Sequence, residues 1–426
     1  NQGDYIGSGG LWFVEKGDFT GHPAGLAWTG LPNSPLKLTT EEFNQVVDPQ
    51  KIPNGTGGFK KPENVIDAPY ITMAQAKEKL PDLKLPAVWL PHGIQGISNA
   101  EPIVIPEGHF GPFAGQVLIG DQGQSKIMRV ILEEVDGVMQ GASIDFRSGF
   151  QSGILRMAWA ADKSLFIGET NRGWGSAGEA NEGLQRLVWN YNVPFEMRTV
   201  KAQPDGFLIE FTKPVNKATA EDLTSYAVES FTYKYYPVYG SPPVDNKTLK
   251  ILGVEVAPDG MSARIAVEGL REDYVHKISL NGVRALDGSF SLVHPDAYYT
   301  LHNIPAGDKM MIKLTPAQAS TKEAAPAAQP AQPKKPVTPS GIPSEAEIKT
   351  ILAANTCSAC HMKDKKVIGP AYDEVAKRRY SNERIVELIY NPEPQNWPDY
   401  ATPMPPMAQV SKEDAMKIAK WINSLR

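Results

Sequence analysis

The chain has 426 residues, 41% hydrophobic and 21% charged, which suits several packed cores and excludes bulk disorder or a fibrous repeat. Its 43 basic and 48 acidic residues leave a net charge of −5, so composition offers no electrostatic case for nucleic-acid binding. No run approaches the roughly 18 consecutive apolar residues that a spanning helix needs.

The first residue is Asn1, with no basic and apolar leader after it. The expectation is a signal peptide already removed, or a chain that is one part of a longer protein. Residues 1–194 are rich in Gly and Trp, and two of their segments echo each other. Gly115–Leu132 reads GQVLIGDQGQSKIMRVIL, and Lys163–Trp189 reads KSLFIGETNRGWGSAGEANEGLQRLVW. Each is an apolar strand ending in Ile-Gly-acid, then a polar loop, then a strand that starts near an Arg. Gly120 and Gly168 lie 48 residues apart, close to the repeat of propeller blades. Any β-meander could produce the same echo.

Residues 195–305 carry alternating runs such as GFLIEFTKPV, SARIAVEGL and VHKISLNGV. Turn signals at Pro204–Gly206, Pro258–Gly260, Leu280–Gly282 and Asp287–Gly288 punctuate them. Period two with this spacing predicts an antiparallel β-sandwich of about 100 residues. The piece resembles bacterial immunoglobulin-like domains that follow a larger module, which implies a spacer or docking surface.

From Pro316 to Pro343 the chain holds seven prolines in 28 residues and almost no large apolar side chain. It cannot bury a core, and residues 306–343 read as a linker. Fully extended as polyproline II, those 28 residues would reach about 87 Å.

Residues 344–426 read as a compact helical domain. Ser344 with Glu347 forms a capping box for a helix through Ala353. Ser381 opens a second helix with Ile385, Leu388 and Ile389 on one face. Ser411 opens a third with Ala415, Ile418, Ala419, Ile422 and Leu425 in register, widened by Trp421. Core packing accounts for all these stripes.

Within this domain Cys357-Ser358-Ala359-Cys360-His361 is C-x-x-C-H. Two thiols three apart can each add to a vinyl group of one haem, and the adjoining imidazole then reaches the iron. Zinc would need a second ligand pair, and the chain has two cysteines in all. A redox dithiol would need a βαβ setting. Met404, 43 residues after His361 in the Pro-Met-Pro-Pro-Met loop, suits the opposite iron position because proline stiffens the loop. The metal ligands expected are His361 and Met404.

These residues resemble the small bacterial class I cytochromes c. The likeness covers 344–426 and rests on CSACH, the VIGPAY segment Val367–Tyr372, Trp397, PMPP and the terminal KIAKWI. It implies one haem c held by Cys357 and Cys360. It also ranks Met404 first as distal ligand, with Met407 the runner-up and Met362 too near the attachment site to swing across. Pro370 would accept the proximal imidazole N–H, and Trp397 would pack near the haem edge or simply in the core. His/Met ligation fills both axial sites, which implies electron transfer instead of haem catalysis. With 12 basic and 11 acidic residues, the domain shows no strong steering field for a redox partner. Haem c is attached outside the bacterial cytoplasm, so a periplasmic or extracellular location is expected.

Three strings in the first module, GDFTGHPAGLAW (17–28), HFGPFAGQVLIGDQ (109–122) and NRGWGSAGEANEGLQRLVW (171–189), resemble the later part of bacterial propeller proteins related to sorbosone and glucose dehydrogenases. That resemblance implies a partial β-propeller followed by an immunoglobulin-like segment and a haem domain, a multidomain chain with an all-β first part and an all-α end. It leaves three alternatives for the remaining blades: further chain supplies them, a partner subunit supplies them, or the fold is reduced here. A quinoprotein dehydrogenase would hold pyrroloquinoline quinone (PQQ) or Ca²⁺ through basic and polar side chains. The candidates are His22, His92, His109, Asp121, Gln122 and Arg172, each equally readable as a turn or loop residue. Three readings stay open. One is an extracytoplasmic electron-transfer protein with a β-rich docking module. Another is part of a sugar or alcohol dehydrogenase whose haem is the internal acceptor. The third is a binding module whose β part recognises a glycan or another subunit, with the haem an accessory.

Overall fold

A computed structural model describes residues 3–173, 175–311, 343, 348, 351–352, 357, 361–365, 369–398, 404, 407, 410 and 412–425. The chain divides into two compact units, 1–322 and 323–426. The expected linker, from 312 to 342, and the capping residues Ser344, Glu347 and Ser411 lie outside the described residues.

The first unit is mostly β-sheet. Its early part wraps irregular chain and two short helices, α1 (Thr40–Val46) and α2 (Met73–Lys77), around a core of Phe19, Phe43, Leu80, Leu83 and Tyr235. Both helices begin at a complete capping box, Thr39 with Glu42 and Thr72 with Gln75. Strands β1 (Gly9–Leu11) and β2 (Val88–Leu90) pair with each other.

Four strands then run up and down in order: β3 (Asn99–Val104), β4 (Val117–Asp121), β5 (Lys126–Val135) and β6 (Val138–Ser148). Asp136 and Gly137 make the β5–β6 turn with φ of 49° and 78°, the left-handed pair that a tight hairpin between twisted strands requires. A second meander follows with three strands, β7 (Ile154–Trp159), β8 (Leu165–Thr170) and β9 (Glu182–Leu187). The sequence echo thus becomes a structural one: β4–β5 corresponds to β8–β9. The two meanders stack through Leu118, Ile127, Ile154, Leu165 and Ile167. Gly120 permits this, since a Cβ there would lie 2.4 Å from Cγ2 of Ile154.

Seven further strands follow: β10 (Met197–Gln203), β11 (Gly206–Phe211), β12 (Ala227–Thr232), β13 (Val244–Val256), β14 (Ser262–Glu268), β15 (Tyr274–Ser279) and β16 (Asp296–Leu301). A four-residue helix, α3 (Lys217–Ala220), lies between β11 and β12. The sheet order is β10-β11-β14-β13-β12-β15-β16-β6-β5-β4-β3. Strand β13 pairs with β12 through its first half and with β14 through its second, with a register shift between Ile251 and Gly253. That bulge folds the sheet over one core in which Phe207, Ile209 and Ile265 join Val228, Ile278 and Tyr299. Because β16 pairs with β6, one sheet crosses the 194/195 boundary. The Pro204–Gly206 signal forms the β10–β11 turn, and Pro258–Gly260 lies between β13 and β14.

In the second unit α4 (Tyr372–Lys377), α5 (Asn382–Tyr390) and α6 (Lys412–Ser424) bury Tyr372, Ile385, Ile389, Ala415, Ile418, Ala419, Trp421 and Ile422 together with Ile348 and Leu352. Ser381 caps α5 by accepting from Arg384 N at 3.1 Å. Asn423 on α6 reaches back to Asn382 Oδ1 at 2.7 Å and locks the helix ends together.

Candidate metal centre

The centre is built where chain enters and leaves the helical core. His361 N donates to Cys357 O at 3.0 Å, so one helical turn separates the first cysteine from the imidazole. Cys357 packs against the helical core, while Cys360 lies outside the described residues. The His361 ring is fixed on two sides. Its Nδ1 donates to the Pro370 carbonyl at 2.7 Å, and its face stacks on Tyr372 with centroids 5.4 Å apart. Tyr372 in turn meets Trp421 of α6 edge-on at 5.1 Å. Gly369 is what lets the chain pass the ring, because a Cβ there would come within 2.5 Å of Cε1. With the proton on Nδ1, Nε2 keeps the lone pair, the state a metal ligand needs.

Met404 and Met407 both touch the helical core. Met407 is buried, and its N donates to Ile389 O at 3.0 Å, which ties it to the end of α5. Met362 is exposed. Trp397 carries Arg378 over its ring at 4.4 Å, and Arg378 also donates to Asn396 O at 2.8 Å. A thiol-bearing turn, an oriented imidazole and a thioether on one small core form a donor set that suits a haem iron.

The first unit distributes its candidates differently. Asp121, the last residue of β4, and the loop residues His92, Gln122 and Arg172 lie at one end of the stacked meanders. His109 lies at the other end, between β3 and β4, edge-on to Trp159 at 5.0 Å. His22 sits apart, accepting from Ala24 N at 3.2 Å as a cap. Asp121 is buried and saturated: Oδ1 accepts from Ile97 N and Ser98 N at 2.8 and 2.7 Å, and Oδ2 accepts from Gln124 N at 2.6 Å. His92 is held below its ordinary pKa by desolvation, against the pull of Asp121. Arg172 is exposed. No group of three or more His, Cys, Asp or Glu is placed to hold a metal among the described residues.

Two buried groups were not singled out from sequence. Glu169 is the repeat counterpart of Asp121 and accepts from Ser152 N at 2.8 Å, with burial pushing its pKa up. Arg129 lies fully inside, donating to Gln116 Oε1, Met197 O and Arg198 O at 2.6, 2.7 and 3.0 Å. The Ile-Gly-acid echo was the available signal for Glu169. Nothing local marks Arg129 as buried.

A helical core, a C-x-x-C-H segment and a carbonyl-oriented histidine define a c-type haem protein. The family model for cytochrome c matches residues 345–426. Cytochrome c-551 of Pseudomonas denitrificans is 38% identical over 80 residues, which is 18% of this chain and 94% of that protein. Cytochrome c-551 of Pseudomonas aeruginosa is 38% identical over 72 residues, 16% of this chain and 66% of its own length. Cytochrome c2 of Rhodocyclus tenuis is 35% identical over 77 residues, 16% of this chain and 83% of its own. The chain belongs to the cytochrome c family by these residues, carries one covalently bound haem c and transfers electrons. A solved bacterial S-layer protein aligns with 27% of the chain at 21% identity, but its TM-score of 0.20 is too low to bear on the fold. No helix among the described residues is long and apolar enough to cross a membrane.

Proposed function

We propose that the chain is an extracytoplasmic, periplasmic electron carrier whose haem domain is tethered by residues 306–343 to a β-rich docking module. Cys357 and Cys360 would hold the haem, His361 and Met404 would supply its iron with nitrogen and sulfur donors, and Trp397 would pack near it. The bound haem supplies a one-electron couple, and the protein sets ligand orientation and access. Pro370 and Tyr372 hold the His361 ring with Nδ1 engaged, which leaves Nε2 as the nitrogen that would bind the iron. Met404, partly exposed beside the core, is favoured over Met407, whose side chain is buried within it. The observation that carries this reading is the Nδ1–Pro370 contact at 2.7 Å. Filled axial positions suit a redox protein that meets its partners over a small, transient surface.

Met404→Ala should abolish the long-wavelength sulfur-to-iron charge-transfer band of the oxidised protein, lower the potential and open the iron to added imidazole. Met407→Ala should keep that band. A lost band in Met407→Ala with an intact one in Met404→Ala would reverse the assignment.

For the β unit, we read the stacked meanders as propeller-like blades and the two-layer part as an immunoglobulin-like sandwich. The gathering of His92, Asp121, Gln122 and Arg172 at one end is what supports the second reading, a quinoprotein-like dehydrogenase that binds PQQ or Ca²⁺ there. The saturated oxygens of Asp121 count against its acting as the base. Haem reduction by added sugars or alcohols in the PQQ- and Ca²⁺-supplemented protein would favour that reading, and a haem left oxidised would favour the carrier.

A further inference from the structure

The first meander has four strands and the second three. β5 pairs with β4 on one side and β6 on the other, whereas β9, its counterpart, pairs with β8 alone. The sheet is one strand short at β9.

Both ends of the eleven-stranded sheet are occupied. On β10, the Met197 and Arg198 carbonyls accept from Arg129, and Ala202 N donates to Glu133 Oε1. On β3, Val104 O accepts from Trp159 Nε1 at 2.8 Å, and Pro102 has no N–H to offer. The outer edge of β9 has no such cover among the described residues, which makes it a template for another strand.

The register of β8 with β9 pairs Phe166 with Arg186, Gly168 with Leu184 and Thr170 with Glu182, all on the outward face. Leu184 is 70% and Phe166 37% exposed. Their counterparts in the first meander, Ile127 and Leu118, are fully buried by the second. Along the edge the outward residues therefore read Glu182, Leu184, Arg186, a sequence complementary to itself when reversed. Antiparallel pairing of β9 with β9 of a second copy, centred on Leu184, sets Leu184 against Leu184 and each Glu182 against the other chain's Arg186. Arg186 already donates from Nε to Ser164 at 2.9 Å and from Nη2 to Asp162, which fixes its direction and leaves Nη1 for a further acceptor. Glu182 has no ion partner among the described residues.

We propose that the chain forms a two-fold dimer by joining the β9 edges into a continuous six-stranded sheet, with Glu182–Arg186 pairs fixing the register about Leu184. Such an isologous contact uses the same patch twice and closes on itself. It goes beyond the haem assignment and stands or falls separately from it.

The test uses the full haem-loaded chain in sedimentation velocity across a concentration series. The expected result is a monomer–dimer equilibrium. Glu182→Arg and Arg186→Glu should each weaken it by about tenfold or more, as like charges then face each other across the edge, and the double swap should restore it. Should a charge variant fail to fold, Leu184→Cys gives an independent route. Opposed cross-strand Cα atoms lie about 4.5–5.5 Å apart, within disulfide range. Mild oxidation should yield a covalent dimer from Leu184→Cys and none from Arg156→Cys on β7. A chain monomeric at every concentration would overturn the proposal. So would a dimer indifferent to the charge swaps, or a Leu184→Cys protein that stays uncrosslinked.

Discussion

The two meanders put the same residue types at corresponding positions and surround them differently. Arg129 opposes Leu118 across β4–β5, and Arg186 opposes Phe166 across β8–β9. The first arginine is enclosed by Phe113 at 4.3 Å and by the carbonyls of β10, and burial pulls its pKa down to about 10. The second lies over Phe166 at the surface and bridges to Asp162. Gly120 is crowded by the neighbouring meander, while Gly168 has its nearest foreign atom at 3.8 Å. Place in the stack, more than residue type, decides what each side chain contributes. A covered meander converts its repeat residues into core, and an uncovered one leaves them as surface.

The arginines should separate most widely. Arg129→Ala removes the donor to Met197 and Arg198 and strands their carbonyls in the interior, a loss of about 3–5 kcal/mol. Arg186→Ala breaks the exposed bridge to Asp162 and one part-buried bond to Ser164, and should cost about 1 kcal/mol. Urea unfolding of the two variants, read at matched m-values, checks the difference. Equal midpoints would mean that the enclosure of Arg129 carries no energy.

The glycines should differ in the same sense by less. Gly120→Val places a branched side chain against Ile154 and should cost about 1–3 kcal/mol by overpacking. Gly168→Val meets only ordinary van der Waals contact with Arg156 and should lie within about 1 kcal/mol of neutral, since β-branched residues suit strands. Thermal melts of both would show it. A strongly destabilised Gly168→Val would indicate that its face is covered in solution, which would sharpen the case for a partner there.

How far this contrast could be read from sequence depended on the reach of each interaction. The C-x-x-C-H segment and the helical stripes identify the haem domain because covalent attachment demands fixed residues at fixed spacing. The turns at Pro204–Gly206 and Pro258–Gly260, and the strands beside them, follow from local backbone chemistry and period-two alternation. The echo around Gly120 and Gly168 is likewise local. The pairing of β16 with β6 joins segments about 150 residues apart, and no pattern in either names the other. The same holds for Arg129, whose burial depends on β10 crossing above it. The irregular stretch between β1 and β2 has no periodicity to read, and only its capping boxes at Thr39 and Thr72 are written in the sequence.

The acids give the smallest predicted separation and the only one that varies with pH. Asp121 serves three backbone N–H groups, whereas Glu169 serves one and leaves Oε1 buried without a partner. Desolvation therefore raises the Glu169 pKa above its unfolded value. Between those two values the folded state binds the extra proton. The resulting stability is complete below the unfolded pKa and is lost as pH rises through the folded one. Glu169→Gln keeps the acceptor for Ser152 N and removes the titration. Its stability relative to wild type should therefore improve steadily as pH climbs from the unfolded carboxylate range toward neutrality. A pH-independent difference for Glu169→Gln would mean that water or a bound cation reaches Oε1, and that the second acid is as well served as the first.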